Sequence, residues 1–293
     1  MYYLDDYEKY LEGKATSAAT RAAYLSDVKD FENFLKSSGK ALENASADDF
    51  KEYSAALSES GRSVATVNRR ISSIRSFYEY LIGIGAVSSN PCVGSKAEKV
   101  EEKEIVYLTE DQINKLIELP SSDAAGLRDR ALLEMMYATG MRVSELCELD
   151  ISDLNLNIGY VSVNSKSKTK ARVIPIGKYC RSAVKEYMLK GRRTLLSKKD
   201  DRGALFLSHI GERMTRQGVW KILKTYADAL DLKIEVTPQV IRNTFAVHLI
   251  QHGADLKSLQ ELLGHEDIMA TKIYLKFRKN RVMDVYNSTF PRA

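Results

Sequence analysis

Apolar residues recur at three- and four-residue intervals along most of the chain, the spacing of helices that turn one face to a core. Tyr24, Val28, Phe31 and Leu35 share one face of a helix predicted over 16–37, which Gly39 stops. Ser46, with Asp49 three residues on, opens a second helix that runs out at Gly61. Ser63 opens a third, which presents Val67, Ile71, Ile74, Tyr78 and Leu81 inward. From Asn90-Pro91 the periodicity stops, and residues 91–106, crowded with lysine and glutamate, read as a linker. Thr109 with Gln112 has the form of a capping box and restarts helix over 109–118. Leu132, Leu133, Met136 and Tyr137 then form the inner face of a helix that ends at Gly140, with Arg142 in the tight turn beyond it.

The period changes at 160–176, where Val161, Val163, Ile174 and Ile176 follow a two-residue alternation, the pattern of a hairpin. At its tip Lys166, Lys168, Lys170 and Arg172 alternate and so share a face. Helices are predicted again over 179–199 and 212–230, on either side of the apolar run ALFLS, with Thr215 starting the helix that carries Trp220. Residues 237–275 are mostly helical: Phe245, Leu249 and Ile250 make one stripe and Leu256, Leu259, Leu262 and Leu263 another, stopped by Gly253 and Gly264. In the tail, Val282, Val285 and Tyr286 form a last apolar stripe, which needs a docking surface. The expected fold is mainly α in two domains. A helical domain at 1–90 and the linker at 91–106 precede an α-rich domain at 107–293 with a small antiparallel sheet.

A chain of 293 residues can bury two cores, and its 44% hydrophobic and 28% charged content is ordinary for a globular protein. The start, MYYLDDYEKYLEG, is acidic and lacks the apolar stretch of a signal peptide, and no run is long enough to span a membrane. Cys92, Cys147 and Cys180 are odd in number and scattered, which fits a reducing cytoplasm and argues against a structural metal. Residues 1–90 hold 11 Lys and Arg against 13 Asp and Glu, leaving 33 against 26 for 91–293, so the net charge of +5 comes from the second region. A basic second domain suits a polyanionic partner. In the first domain Arg62, Arg69, Arg70 and Arg75 accompany serines and threonines on the face of the third helix away from its apolar stripe, as phosphate contact from a helix would require.

Three polar residues stand at helix edges in the second domain: Arg242 near a start, His265 just past a stop, and Tyr274 beyond it. Together they suit chemistry on a phosphodiester. Arginine clamps phosphoryl oxygens bidentately, histidine holds or donates a proton near neutral pH, and tyrosine can form a covalent ester. The succession R-x-x-F-A-x-H-L, then LLGH, then the IY pair resembles the tyrosine recombinases of the phage integrase family, and within them the Xer-like branch. ATGMRVSEL resembles that family's first catalytic box. The first three helices resemble its DNA-binding core-binding domain more loosely.

The resemblance implies a DNA strand-exchange enzyme whose tyrosine attacks the scissile phosphate to leave a 3′-phosphotyrosyl link. The catalytic set would be Arg142, Lys166, Gln239, Arg242, His265 and Tyr274. A residue in the place of Arg142 could instead simply pair with Glu145; the company of the other boxes favours the phosphate. Lys166 fits the general acid if the hairpin carries one extra residue, and Lys168 is the alternative. Lys168 and Lys170 would also contact DNA, as would the helix around Trp220. The ester conserves the bond energy, so neither metal nor nucleotide cofactor is expected. The partners implied are a double-stranded DNA target site and further protomers, in a tetramer that exchanges tails and can include a paralogous recombinase.

Two positions depart from the family pattern, which has histidines where this chain has Gln239 and Asn243. Glutamine donates a hydrogen bond but cannot exchange a proton, so deprotonation of Tyr274 would fall to His265 or water. A type IB topoisomerase, a mobile-element integrase and a DNA-binding regulator with a decayed site are the competing readings. The two-domain length favours chromosome-dimer resolution over integration.

Overall fold

The computed structural model of the chain describes residues 2–14, 16–94, 104–164, 171–196 and 203–278. The chain divides into two compact units, residues 1–103 and 104–293.

The first unit is helical: α1 Tyr2–Gly13, α2 Ala18–Ser37, α3 Ala47–Glu59 and α4 Val64–Gly83. Local side chains set three of the starts. Ser17 accepts the Thr20 N–H, Ser63 accepts the Thr66 N–H, and Ser46 and Asp49 close a reciprocal capping box. The predicted stripes are the core, with Val28, Phe31 and Leu35 of α2 packed against Val67, Ile71, Ile74, Tyr78 and Leu81 of α4. Helix α1, which the periodicity reading left out, adds Leu4, Tyr7 and Leu11 at helical spacing.

One expected feature of α4 is corrected. Arg70 does not lie on an outward stripe. It is buried, its guanidinium bonding Asp30 at 2.8 Å and the Tyr53 hydroxyl at 3.2 Å, close to the buried Asp27. Asp27 also accepts the Ser73 hydroxyl at 2.7 Å and pairs with Arg69. A carboxylate buried in a helix interface needs such partners to remain charged, which explains why these arginines turn toward α2. Arg62 is exposed and Arg75 half-buried.

The second unit opens with α5 Glu110–Glu118, capped by Thr109 and Gln112 as expected. Helices α6 Ala124–Thr139 and α7 Val143–Glu148 follow. A three-stranded antiparallel sheet then runs in the order β1 Leu154–Asn155, β2 Tyr160–Val163, β3 Arg172–Pro175. Val161 stands opposite Ile174 and Val163 opposite Arg172, so the inner face of the sheet carries Val161, Val163 and Ile174. The hairpin tip with Lys166, Lys168 and Lys170 lies outside the described residues, as do most of the expected linker and the tail stripe Val282, Val285 and Tyr286.

The helix predicted over 179–199 is α8 Lys178–Glu186, a π turn at Tyr187–Gly191, and α9 Arg192–Leu195. Next come α10 Arg216–Ala229, α11 Pro238–Gln251, α12 Leu256–Leu263 and the short α13 Met269–Lys272. Thr215, Thr237 and Asp255 cap α10, α11 and α12. A second, smaller core lies between α11, α12 and the segment entering the unit: Phe245, Val247, Ile250, Leu259, Leu263 and Tyr274, with Ile105 and Tyr107 against it. Among the described residues no helix is long and apolar enough to cross a membrane.

Candidate active site

Two helix C-termini build the centre of the site. Helix α6 stops at Gly140 with φ +56°, and a Cβ there would stand 2.2 Å from the Phe245 ring, so both conformation and space call for glycine. The Gly140 carbonyl accepts Nη1 of Arg242 at 2.5 Å. Helix α12 stops at Gly264, φ +65°, and the carbonyl of its last residue, Leu263, accepts Nη2 of Arg242 at 2.7 Å. The last carbonyls of a helix lack intrahelical partners and carry its partial negative charge. Arg242, only 5% exposed in the second turn of α11, is therefore fixed by two helix ends and keeps further N–H groups beyond these bonds. Burial, and then the like charge of Arg142, lower its pKa to about 10, still well above neutrality.

His265 follows Gly264 directly. Its Nε2 is 3.0 Å from Nη2 of Arg242 and its Nδ1 is 2.8 Å from the buried hydroxyl of Thr271. A guanidinium only donates, so Nε2 accepts and the ring proton sits on Nδ1, given to Thr271 Oγ1. Burial, then the charges of Arg242, Arg142 and Arg172, push the imidazole pKa down to about 4. At neutral pH His265 is uncharged.

Arg142 is the residue before α7, and its side chain is 37% exposed, the most open of the three arginines here whose side chains meet at Glu145 or α12. Its backbone N–H donates to Glu145 Oε2 at 2.7 Å, and Nη1 approaches Oε1 at 3.3 Å. The pairing with Glu145 weighed from the sequence thus exists, but Glu145's stronger partner is Arg172. That guanidinium meets both carboxylate oxygens at 2.9 Å, while its Nε donates to the Leu262 carbonyl at 2.8 Å. Burial by itself would raise the Glu145 carboxyl; Arg172 and the Arg142 N–H and charge outweigh it and hold it below the usual range. Gly264 is again required, because a Cβ would come 2.8 Å from the Arg172 guanidinium. A groove of 710 Å³ runs beside this group, lined by Arg172, Gln260, Gly264, His265 and Glu266 among others.

Tyr274 comes just after α13 and is 2% exposed. Its hydroxyl donates to Asn243 Oδ1 at 2.9 Å, and Gln239 Nε2 donates to the same oxygen at 2.9 Å. Burial raises the phenol's pKa, with Arg242 opposing. Arg142, Arg242 and His265 are thus brought together, and Tyr274 and Gln239 meet at Asn243, the neighbour of Arg242. Gln239 is exposed and bonds Asn243, the residue one helical turn on. Three guanidinium groups against one carboxylate and a neutral imidazole leave the cluster cationic, a setting for an anion such as a phosphodiester.

No motif pointed to Glu145 as an organiser, to Arg172 as its partner or to Thr271, and Asn243, visible as a departure from the family pattern, gave no sign of its bond to Tyr274. Arg172 shares β3 with the buried Ile174, a parity that marks an inward side chain.

The family model described as "Phage integrase family" matches residues 106–281, and that of the "Phage integrase, N-terminal SAM-like domain" matches residues 4–84. The chain belongs to the phage integrase family, the tyrosine recombinases. It is 36% identical over 295 residues to tyrosine recombinase XerD of Oceanobacillus iheyensis, covering 100% of this chain and 99% of the relative. To tyrosine recombinase XerC of Bacillus subtilis it is 38% identical over 283 residues, covering 96% and 93%. The fold matches that of the Tn1549 transposon integrase in complex with a circular intermediate DNA, with a TM-score of 0.73 over 99% of each chain at 20% identity. These relatives fit the Xer-like branch.

Proposed function

We propose that the protein cleaves and rejoins duplex DNA at a specific site through a 3′-phosphotyrosyl intermediate. The observation that carries the reading is the fixing of Arg242 and His265 at the ends of α6 and α12, with Arg142 open beside them and the Tyr274 hydroxyl bonded to Asn243, the residue after Arg242 on α11. Tyr274 Oη attacks the phosphorus, the bond to the 5′ oxygen breaks, and a lysine, Lys166 or Lys168, gives that oxygen its proton. The phenolic proton passes to water or to a non-bridging oxygen, because the His265 lone pair is already engaged by Arg242.

Arg142 and Arg242 neutralise the charge that builds on the non-bridging oxygens, each such donor being worth about a hundred- to a thousand-fold in rate. His265 acts as a fixed neutral acceptor that orients Arg242, and Gln239 acts through Asn243. The phosphotyrosyl ester conserves the bond energy, so the 5′ hydroxyl of a partner strand reverses the step without metal or nucleotide.

Exchange between two duplexes cuts four strands with one nucleophile per chain, which calls for a tetramer on DNA, homomeric or with a paralogous recombinase. Arg62, Arg69 and Arg75, with Lys168 and Lys170, would contact the DNA backbone. The relatives named XerC and XerD support the Xer-like branch, and with that branch goes the proposed role of resolving chromosome dimers in the cytoplasm. The two-unit division at Lys103 supports separate core-binding and catalytic domains joined near 91–106. The test is a nicked duplex carrying the target site, recovered beforehand by sequencing the genomic fragments the protein binds. Peptide mapping of the trapped adduct should find the DNA on Tyr274; a link to any other residue overturns the reading.

A further inference from the structure

The hydroxyl of Tyr274 is not free to react in this conformation. Its proton is donated to Asn243 Oδ1 at 2.9 Å, and the ring is 2% exposed. The Asn243 amide cannot turn to offer its other face. Its Nδ2 donates to the Val106 carbonyl at 3.1 Å, an atom that only accepts, so Oδ1 must point at the tyrosine. Gln239 Nε2 donates to the same Oδ1, so the oxygen that holds the tyrosine has a second donor on it. An amide oxygen is a negligible base at neutral pH. The phenol is therefore held as a neutral donor, by a partner that can bind its proton but not take it.

The surroundings make the holding point rigid. Val106 lies in the segment by which the chain enters its second unit, and that segment is bound to α11 twice, since the Leu108 N–H also donates to the buried Thr244 Oγ1 at 2.9 Å. Tyr107 stacks edge-on to Phe277, three residues past the nucleophile, at 5.1 Å. Backbone, amide and ring contacts thus bracket Tyr274 on both sides.

We propose that Asn243 is a positioning residue that latches Tyr274 in a protonated resting state, so that cleavage requires the Tyr274–Asn243 bond to break. The proposal rests on the reading of Tyr274 as nucleophile. Breaking the bond costs the resting enzyme, and an enzyme without it starts closer to attack. It also stabilises the neutral phenol, so removing it lowers the pH at which Tyr274 becomes reactive.

The test is single-turnover adduct formation on the nicked duplex at saturating protein, from pH 6 to 9, with DNA affinity measured alongside. Asn243→Ala should form the adduct about two- to tenfold faster at pH 7, the range of one net hydrogen bond, and its rate profile should move to lower pH. Asn243→Asp keeps the size but puts a stronger, anionic acceptor on the phenol. It should be at least about tenfold slower, with the profile moved to higher pH. If Asn243→Ala is slower than wild type, or its profile does not move, the latch is wrong. Should the alanine variant not fold, the aspartate variant decides alone, and a rate at or above wild type overturns the proposal. Tyr274→Phe in the same assay separates the two claims. An inert Tyr274→Phe with failed Asn243 arms sinks the latch only, whereas an adduct from Tyr274→Phe sinks the nucleophile assignment and the latch with it.

Discussion

Nε2 of His265 accepts a hydrogen bond from Nη2 of Arg242 at 3.0 Å, which fixes both the tautomer and the charge of the imidazole. Burial disfavours the charged ring, and a proton on Nε2 would place two cations in contact, so the imidazole pKa falls to about 4. The unfolded chain binds that proton near pH 6.5. Between about pH 4 and 6.5 the unfolded state thus holds more protons, so the His265 contribution to stability is complete above 6.5 and is lost as pH falls through this window. At full weight the shift corresponds to about 3 kcal/mol, and partial exposure of the ring reduces it. Denaturant unfolding of wild type and His265→Gln at pH 4.5 and 7 checks this. The stability gap between the two proteins should narrow at the lower pH. His248, also depressed by burial, is common to both and cancels.

Thr271 holds the other side of the same ring. Thr271→Val keeps the shape but leaves the Nδ1–H without its acceptor, a loss of about 1–3 kcal/mol for a buried donor. The freed ring can then turn away from Arg242. Adduct formation should slow by about tenfold, and Thr271→Ser should restore it. A valine variant with wild-type rate would show that the tautomer is set elsewhere.

Glu145 joins Arg142 to Arg172, and its side chain is 8% exposed. Glu145→Gln removes the charge that compensates Arg172 and should cost about 3–5 kcal/mol, as expected when one partner of a buried pair is lost. Arg172→Lys should also destabilise, since an ammonium cannot meet both oxygens at once. Thermal and denaturant unfolding measure both. A change under about 1 kcal/mol in Glu145→Gln would mean that Arg172 finds another partner.

What could be read from the sequence was what is local. Ser46 with Asp49 and Thr109 with Gln112 close their boxes three residues apart, so the helix starts were visible. Stripes such as Val67, Ile71 and Ile74 were visible because a helical period needs no knowledge of what packs against it. Arg142, Arg242, His265 and Tyr274 were legible as motif letters, but what holds them was not. Arg242 is held by the carbonyls of Gly140 and Leu263, backbone groups 102 and 21 residues away that carry no side-chain signature. Arg172 read as part of a basic hairpin tip because alternation alone does not say which face is inside; Glu145, 27 residues earlier, decides it. Arg70 read as outward for the same reason, until Asp27 and Asp30 on α2 supplied the partners. The departure at Asn243 was visible as a letter, while its bond to Tyr274 belongs to the tertiary structure.

The central claim is that Tyr274 forms the covalent link to DNA. Tyr274→Phe removes one oxygen from a side chain whose ring stays packed against α11 and α12, so the fold and DNA affinity should be unchanged. On the nicked duplex wild type should give a denaturant-resistant protein–DNA adduct and Tyr274→Phe none. An adduct of normal yield from the phenylalanine variant would contradict the account.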